Sequence, residues 1–335
     1  MRFQRPGRIW IPEAPNIILA RARDAYVDHV PSPMFEGYFN IKLIDSRTGD
    51  VRRELNFKNL ITDAALDYIG AVNGVFACLA NAQMGTGGTA PTVSDTTLQT
   101  PIGTRVIKDG GFPQVGSGPS FAYWRAVYQY TFLEANANGN LAEIGLFSAA
   151  TSGTMWTRQI LKDVGGTPTT ITKTSAERLQ VTYEVRCYSP TADVSGTINI
   201  SGTNYDYTVR ASEIDNTNWQ GNVTNFCAGT TGVASTTETA ALGALTGAPP
   251  GITGFGGTTS TSQGIDTYTN GTFRRDHSYI FETTTSNYAT GLGALIFGNY
   301  SSGNSWQIAF TSLKIPKTAL NRLTLITRHS WGRYP

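Results

Sequence analysis

The chain has 335 residues, of which 40% are apolar and 11% aromatic, enough to build about two ordinary domains with hydrophobic cores. Only 15% of the residues are charged and the formal net charge is +2, so composition gives no argument for a nucleic-acid or acidic-membrane partner. No apolar run approaches the roughly 20 residues that a spanning helix needs, and no signal-peptide pattern follows the N-terminus. The sequence therefore predicts a folded protein that is made in a cytoplasm and does not insert into a membrane.

The first predicted element is an N-terminal arm, residues 1–36. Its three early prolines, Pro6, Pro12 and Pro15, discourage regular structure, and the arm lacks the apolar mass to fold alone. Large apolar side chains in such a segment are expected to be buried against another protein. The candidate anchoring residues are Trp10, Ile11, Ile17, Ile18 and Leu19.

Residues 37–190 are predicted to form a first β domain. The alternating segments YFNIKLID and VRRELNFKN flank SRTGD and predict a hairpin with Gly49 at the turn. The segment ITDAALDYIGAV then predicts one helix, capped by Thr62 or Asp63. Its apolar face would be formed by Ala65, Leu66, Ile69 and Val72. After a polar loop, strands are predicted in AYWRAVYQYTFL, LAEIGLFSA, MWTRQILKD and LQVTYEVRCY.

Residues 191–335 are predicted to form a second β domain. The segments TINISG and YDYTVRAS form its opening hairpin, and NRLTLITRHSW forms its last strand. Short strands with turn signals about every ten residues predict a mainly β fold. The expected architecture is two tandem, related, antiparallel β-sandwich or open-barrel domains, with one short helix in the first domain.

Two segments, ITKTSAERLQV at 171–181 and IPKTALNRLTL at 315–325, share the pattern I-x-K-T-x-x-x-R-L. Upstream of them, Trp156 and Trp306 lie 150 positions apart in similar surroundings, as do Phe147 and Phe297. Ordered matches of this kind predict a tandem duplication in which each copy has its own core. The repeated segment would be the turn into the closing strand of each copy, with alternate residues after it pointing inward.

The sequence contains no recognisable catalytic or metal-binding set. The three histidines, His29, His277 and His329, are scattered, and the glycine-rich runs do not follow the pattern of a phosphate-binding loop. Carboxylate pairs for glycoside hydrolysis remain open, the candidates being Glu134 with Glu143 and Asp215 with Asp276. Because many carboxylates here stand in turn or cap contexts, we expect a protein that is not an enzyme and has no cofactor or metal.

Three cysteines, Cys78, Cys187 and Cys227, are an odd number in a large chain and predict free thiols.

Surface candidates come from the aromatic and basic residues of the second half. Trp156 and Trp306 occupy equivalent positions in the two predicted copies, so we predict that both lie in the core. Trp219 and Trp331 are instead predicted to be exposed contact residues. The last 25 residues contain no acid, and their basic residues are Lys314, Lys317, Arg322, Arg328 and Arg333. These residues form either a solvated strand surface or a face that binds phosphate-bearing glycans or an acidic partner. The candidate receptor-facing residues are Trp219, Arg274, Arg275, Arg328 and Trp331.

The motifs FNIKLIDSRTGDVRRELNFKNLITDAALDYIG, MGTGGTAPTVSDTTLQTPIG, LAEIGLFSA and ITKTSAERLQVTYEVR resemble a module of tailed-bacteriophage virion proteins. In the second half, SGTINISGTNYDYTVRAS and SWQIAFTSLKIPKTALNRLTL resemble the companion half of such proteins, so the resemblance covers about 37–335. These proteins are described as tail-fibre, receptor-binding, baseplate or minor structural proteins.

The resemblance implies a non-enzymatic virion component, most often of the tail, that is assembled in the host bacterial cytoplasm. It implies anchoring to other virion proteins through residues 1–36, a homo-oligomer with a trimer favoured, and a bacterial surface glycan or protein as receptor. The alternative is a purely scaffolding protein of the baseplate, collar, head spike or capsid decoration, with no receptor contact.

Overall fold

A computed structural model of the chain describes residues 26–27, 32–72, 77–118, 121–190, 193–211, 233–236, 262–265, 267–299 and 304–335. Within these residues the fold is mainly β, with antiparallel sheets and one α-helix. The predicted fold class is confirmed at this level.

The helix α1 covers Asp63–Val72, and a short 3-10 helix covers Ala77–Leu79. The first twelve described strands are β1 (Tyr26–Val27), β2 (Met34–Asp45), β3 (Val51–Lys58), β4 (Leu60–Ile61), β5 (Asn81–Gly85), β6 (Pro101–Gly118), β7 (Phe121–Phe132), β8 (Gly139–Leu141), β9 (Glu143–Phe147), β10 (Met155–Ile160), β11 (Ile171–Lys173) and β12 (Glu177–Pro190). The remaining ones are β13 (Val194–Ile200), β14 (Thr203–Ala211), β15 (Val233–Thr236), β16 (Ser262–Ile265), β17 (Arg274–Phe281), β18 (Ala294–Asn299), β19 (Asn304–Phe310), β20 (Leu323–Ser330) and β21 (Gly332–Arg333).

Ten strands build one nearly closed, barrel-like sheet in the order β21-β2-β12-β7-β6-β5-β9-β10-β4, with β3 paired beside β2. The strand β3 pairs with β2 near one end of this sheet, and β4, which follows β3 in the chain, pairs with β10 at the other end. The segment β3–β4 therefore closes the sheet. Along β2, Phe39 and Ile41 are buried while Tyr38 and Asn40 are partly exposed. This alternation gives the sheet an apolar inner face and a polar outer face.

The second half contains two smaller sheets, ordered β13-β14-β19-β18-β15 and β1-β20-β17-β16. Among the described strand pairs nearly all are antiparallel, but β1 pairs with β20 in parallel, and β21 pairs with β2 in parallel. Each of these two short strands therefore connects one half of the chain to a sheet of the other half.

Most described buried apolar side chains of both halves belong to one cluster, whereas a separate core in each half was expected; a small second cluster contains Leu98, Phe147 and Met155. Trp331 lies at the junction, where its Nε1 donates to the Leu66 carbonyl of α1 at 2.9 Å and its ring packs on Tyr268 at 5.6 Å. Tyr268 in turn donates to Asp67 Oδ1 at 2.6 Å. The second half thus packs directly on the helix of the first half.

Several local predictions are confirmed. The first hairpin turns at Gly49, whose φ of 79° lies in the left-handed region that glycine tolerates. Thr62 is the N-cap of α1, because its Oγ1 accepts a hydrogen bond from Ala65 N at 3.1 Å. Leu66 and Ile69 are buried on the predicted face of the helix.

Two further features differ from the predictions. The long strand β6 was not predicted, because Gly110, Gly111 and Pro113 interrupt its apolar pattern. The predicted arm extends to residue 36, but β2 already begins at Met34, and Val27 of β1 is fully buried in the core. The last part of the predicted arm is therefore part of the fold.

Candidate functional site

The two lysines of the repeated motif are buried and bind carbonyl groups. Lys173 is 1% exposed, and its Nζ donates to Leu133 O at 3.1 Å, Glu134 O at 3.2 Å and Asn138 Oδ1 at 2.8 Å. Burial lowers the pKa of Lys173, and the negative charges of nearby carboxylates oppose that shift. This side chain fixes the loop after β7 against the segment that leads into β12.

Lys317 has the same arrangement in the second half. It is fully buried, and its Nζ donates to Glu282 O at 2.7 Å, Asn287 Oδ1 at 2.8 Å and Thr318 O at 3.1 Å. Burial lowers the pKa of Lys317 as well. The lysine of each motif is therefore a structural clamp, a role that sequence reasoning missed.

The bend after each lysine is closed by a side chain three residues beyond the threonine. Thr174 N donates to Glu177 Oε2 at 2.8 Å, and Thr318 N donates to Asn321 Oδ1 at 2.7 Å. Alternate residues after the bend, such as Leu179 in β12, are buried. As predicted, the motif forms a turn that leads into a strand in both places.

A buried ion pair holds the polar loop between β5 and β6. Glu143 is fully buried and accepts hydrogen bonds from the backbone amides of Gly87, Gln99 and Thr100 at 2.8 to 3.1 Å. Its Oε2 also accepts from Arg158 Nε at 2.6 Å. With four donors on two oxygens, Glu143 serves to position the loop.

Arg158 completes this cluster from β10. Its Nη1 donates to Asp95 Oδ2 at 2.9 Å, and its Nη2 donates to Thr89 O at 3.0 Å. Hydrogen bonds from Arg158 and from the Thr92 backbone outweigh the effect of burial and lower the pKa of Asp95. The sequence did not predict the pairing of Arg158 with Asp95, because the two residues lie 63 positions apart.

The other carboxylates proposed for hydrolysis have separate surroundings. Glu134 lies on the loop after β7, where a hydrogen bond from Ser46 lowers its pKa. Asp276 is paired with Arg328 across β17 and β20 at 2.8 Å. Asp215 lies outside the described residues.

Two histidines meet in the second half, where no pairing was predicted. The rings of His277 and His329 stack with centroids 4.0 Å apart, and both side chains are buried. Burial and the neighbouring Arg275 charge lower the pKa of His277 to about 4, although Asp276 opposes the shift. Burial and the charge of His277 lower the pKa of His329. Both rings are therefore neutral at pH 7.

The described cysteines fit the prediction of free thiols. Cys78 and Cys187 are both buried and unbridged, and burial raises the pKa of the Cys78 thiol. Cys227 lies outside the described residues.

The basic residues near the C-terminus are largely neutralised within the chain. Arg322 lies 3.3 Å from Glu282, Arg328 pairs with Asp276, and Arg333 donates to Ile61 O and Asp63. Together with the buried Lys317, these contacts favour a structural role over an anion-binding face at this strand.

The candidate receptor-facing residues that the structure describes differ in exposure. The predicted exposure of Trp331 is wrong, because this side chain is 3% exposed and fills the junction between the halves. Arg274 is exposed, while Arg275 lies partly buried with its guanidinium 5.7 Å from the Tyr268 ring. Trp219 and the candidate anchoring residues Trp10, Ile11, Ile17, Ile18 and Leu19 lie outside the described residues.

The predicted core aromatics are confirmed where the structure describes them. Trp156 is fully buried and donates from Nε1 to the hydroxyl of Tyr183 at 2.8 Å. Phe147 is 1% exposed, beneath the guanidinium of Arg105. The side chains of Trp306 and Phe297 lie outside the described part of the chain.

An open groove on the outer face of the barrel-like sheet is the best candidate binding site. It crosses β3, β2, β12 and β7 and has a volume of about 480 Å³. We call it the hairpin groove; its lining residues are Tyr38, Phe39, Asn40, Asn56, Phe57, Lys58, Val127, Thr182, Glu184 and Arg186. Its polar side chains alternate along each strand with the buried residues of the core, and this alternation aims them outward.

The groove contains a linked set of charged and aromatic groups. The Arg186 guanidinium lies over the Tyr38 ring at 4.6 Å and over the Tyr123 ring at 5.3 Å. Its Nε donates to Glu184 Oε1 at 2.5 Å, and Glu184 Oε2 accepts from Arg125 Nη1 at 3.2 Å. One carboxylate is therefore shared by two arginines.

A second charged pair borders the groove. Lys58 Nζ lies 2.8 Å from Glu36 Oε1, and the Tyr188 hydroxyl donates to Glu36 Oε2 at 2.6 Å. Burial raises the pKa of Glu36, but hydrogen bonds from Lys58, Tyr188 and Tyr38 outweigh it and lower the pKa. Burial and the bond to Glu36 raise the pKa of Tyr38 to about 12. The site thus presents fixed charges and neutral tyrosine hydroxyls at physiological pH.

Within the described residues, no cluster of three or more histidine, cysteine or acidic side chains is arranged to hold a metal ion. No helix in the same residues is long and apolar enough to cross a bilayer.

Comparison with protein-family models, curated proteins and solved structures finds no match to this chain. The likeness to phage virion proteins therefore rests on the sequence motifs alone, and function is argued from the geometry of the chain itself.

Proposed function

We propose that this protein is a non-enzymatic structural component of a tailed-bacteriophage virion, of the tail-fibre or baseplate type, that takes part in host attachment. The motifs at 37–335 support the virion assignment. The observation that carries the attachment role is the hairpin groove, an open site lined by outward polar side chains and the partly exposed Tyr38.

The contrast between the groove and the buried clusters supports a binding role over a catalytic one. Glu143 is bound by backbone amides and Arg158, and the two motif lysines bind carbonyls in their own loops. The charged side chains of these clusters stabilise loops, whereas the charged side chains of the groove lie on the outer face of the sheet. A protein built in this way acts by shape and surface.

We also propose that residues 37–190 and 191–335 are duplicated copies of one domain. The register at the closing strands supports this, because Leu179 pairs with Phe132 in the first half and Leu323 pairs with Phe281 in the second. The shared contacts of Lys173 and Lys317 are independent support. In such a duplication, β20 corresponds to β12, but the neighbours differ: β2 is antiparallel to β12, whereas β1, which precedes both copies, is parallel to β20.

Assembly follows from the same proposal. The strand β13 hydrogen-bonds to β14 on one side and ends its sheet among the described strands, so its free edge can pair with a neighbouring subunit. We propose a homo-oligomer, with a trimer favoured, whose residues 1–25 hold the chain to other virion proteins. The particle would be assembled in the bacterial cytoplasm, where buried thiols such as Cys78 stay reduced.

Competition for adsorption tests the attachment role. Purified full-length protein is added to host cells before the phage that encodes it, and free phage is counted over time. We expect adsorption to slow in proportion to the protein added. Undiminished adsorption at saturating protein would overturn the attachment role and favour a scaffolding protein of the baseplate, collar, head spike or capsid surface.

A further inference from the structure

We propose that the hairpin groove binds an acidic sugar, a pyranose ring that carries a carboxylate, within a host surface polysaccharide. This inference rests on the proposed attachment function and adds the class of ligand. It also moves the receptor site from the C-terminal strand, where the sequence placed it, to the outer face of β2, β3 and β12.

Arg186 is the group that would hold the carboxylate. Its side chain is 27% exposed, and it uses Nε for Glu184 and Nη1 for Tyr188. Nη2 has no partner among the described residues, so at least two N–H donors remain for a ligand. The rings of Tyr38 and Tyr123 fix the guanidinium in place, and a pre-positioned guanidinium loses little entropy when it binds a carboxylate.

The charge balance of the groove favours a single anionic group. Lys58 is paired with Glu36 and also donates to Pro335 O at 3.3 Å, whereas Arg125 and Arg186 share the single carboxylate of Glu184, so the excess positive charge lies at this arginine pair. An excess of one positive charge suits one carboxylate per sugar unit. It does not suit a nucleic acid, which requires several cations along its backbone.

The remaining lining fits the body of a sugar ring. The groove volume of about 480 Å³ lies within the roughly 300–1,000 Å³ of small-ligand sites. Asn56 and Asn40 place amide groups on one side, held together by a hydrogen bond of 2.6 Å, and amides both donate to and accept from hydroxyls. Tyr38 is partly exposed and adds aromatic surface beside Arg186.

The test is a calorimetric titration of the full chain with a tetrasaccharide of galacturonic acid. Maltotetraose is the neutral probe, and mannose 6-phosphate is the probe for a phosphate-bearing sugar. The test variant is Arg186→Gln, and the control is Arg178→Gln, an exposed arginine that points outward from the same strand but lies outside the groove. Thermal unfolding of both variants verifies that each is folded.

We expect the galacturonate tetrasaccharide to bind saturably and at least tenfold more tightly than either other probe. Arg186→Gln should weaken this binding at least tenfold, whereas Arg178→Gln should leave it unchanged. No saturable binding, or equal binding by both variants, overturns the inference. Tighter binding of the phosphate sugar overturns the assignment to a carboxylate.

The outcome separates this inference from the proposed function. If the protein competes for adsorption but does not bind acidic sugars in the groove, the attachment role stands and this inference fails. If it binds acidic sugars at Arg186 but does not slow adsorption, the groove assignment stands and the attachment role fails.

Discussion

At the scale of single residues, two buried lysines give the repeated pattern I-x-K-T-x-x-x-R-L a structural role in both places where it occurs. Each lysine sits where two loops meet and gives them a common set of hydrogen bonds. The turn itself was predictable from the threonine and the polar residues after it. The clamp was not, because lysine is rarely buried and nothing in the local pattern marks Lys173 or Lys317 as exceptions.

Replacing Lys173 with methionine should destabilise the first half. Methionine has a similar length but no donor, so the carbonyls of Leu133 and Glu134 and the amide of Asn138 lose a buried partner. The desolvation cost of the ammonium is also removed, and the net loss should be about 2–3 kcal/mol of unfolding free energy. Urea denaturation followed by tryptophan fluorescence measures it.

Lys162→Met is the matched control, since Lys162 is partly exposed on the segment after β10. That change should alter the unfolding free energy by less than about 0.5 kcal/mol. Equal urea midpoints for both variants would show that the Lys173 clamp does not stabilise the fold.

The stacked histidines predict a pH dependence of stability. The folded-state pKa of His277 is about 4, below its unfolded value of about 6.5, so the unfolded chain binds more protons between these values. The stabilisation is complete above pH 6.5 and is lost as the pH falls towards 4. For His277 alone the loss is about 3 kcal/mol. Urea midpoints between pH 7.5 and 4.5 measure most of this loss, and a variant without this histidine separates it from carboxylates, which begin to titrate near the lower end of the range.

His277→Phe retains a buried aromatic ring without a titrating group. Its stability should vary less than that of the wild type between pH 7.5 and 4.5. A variant curve that parallels the wild-type curve would rule out His277 as the source.

At the scale of elements, the sequence predicted those that carry a local signature. The helix α1 has a cap and an apolar face, and the first hairpin has a glycine turn between alternating strands. The strand β6 has no such signature, since Gly110, Gly111 and Pro113 lie within it. It forms a strand because it pairs with β7. The strands β1 and β21 are two residues long, and their partners lie about 300 residues away. No local pattern can reveal pairings of that kind.

The strand β1 should be needed for the stability of the second half, whereas the chain before it should not be. A truncation that removes residues 1–24 keeps Val27, which is fully buried, and should unfold at the wild-type temperature. Removing residues 1–31 exposes this site and the edge of β20, and should cost about 2 kcal/mol or more. Thermal unfolding compares the two, and hydrogen exchange at Ile326 and Thr327 reports on the edge.

Equal stability of both truncations, with unchanged exchange at β20, would contradict a structural role for β1. Incorporation of the 1–24 truncation into virions at the wild-type level would separately overturn the proposed anchoring by the arm.

At the scale of the whole molecule, the groove could not be predicted from the sequence because its residues come from four strands. The hairpin β2–β3 places Tyr38 and Lys58 opposite each other, and β12 adds Glu184 and Arg186 from more than 120 residues away. In the sequence these residues are ordinary outward positions of amphipathic strands. The folded sheet brings them together into a surface with fixed charge and shape, and the attachment function that we propose depends on this surface.

The proposal that this chain is an exposed component of a phage particle can be tested by immunogold electron microscopy of purified virions. Virions of the phage that encodes it are labelled with antibody raised against the full chain. We expect gold at one fixed place on each particle, the distal tail being favoured. Intact particles without label, from lysates in which the antibody detects abundant unassembled protein, would contradict it.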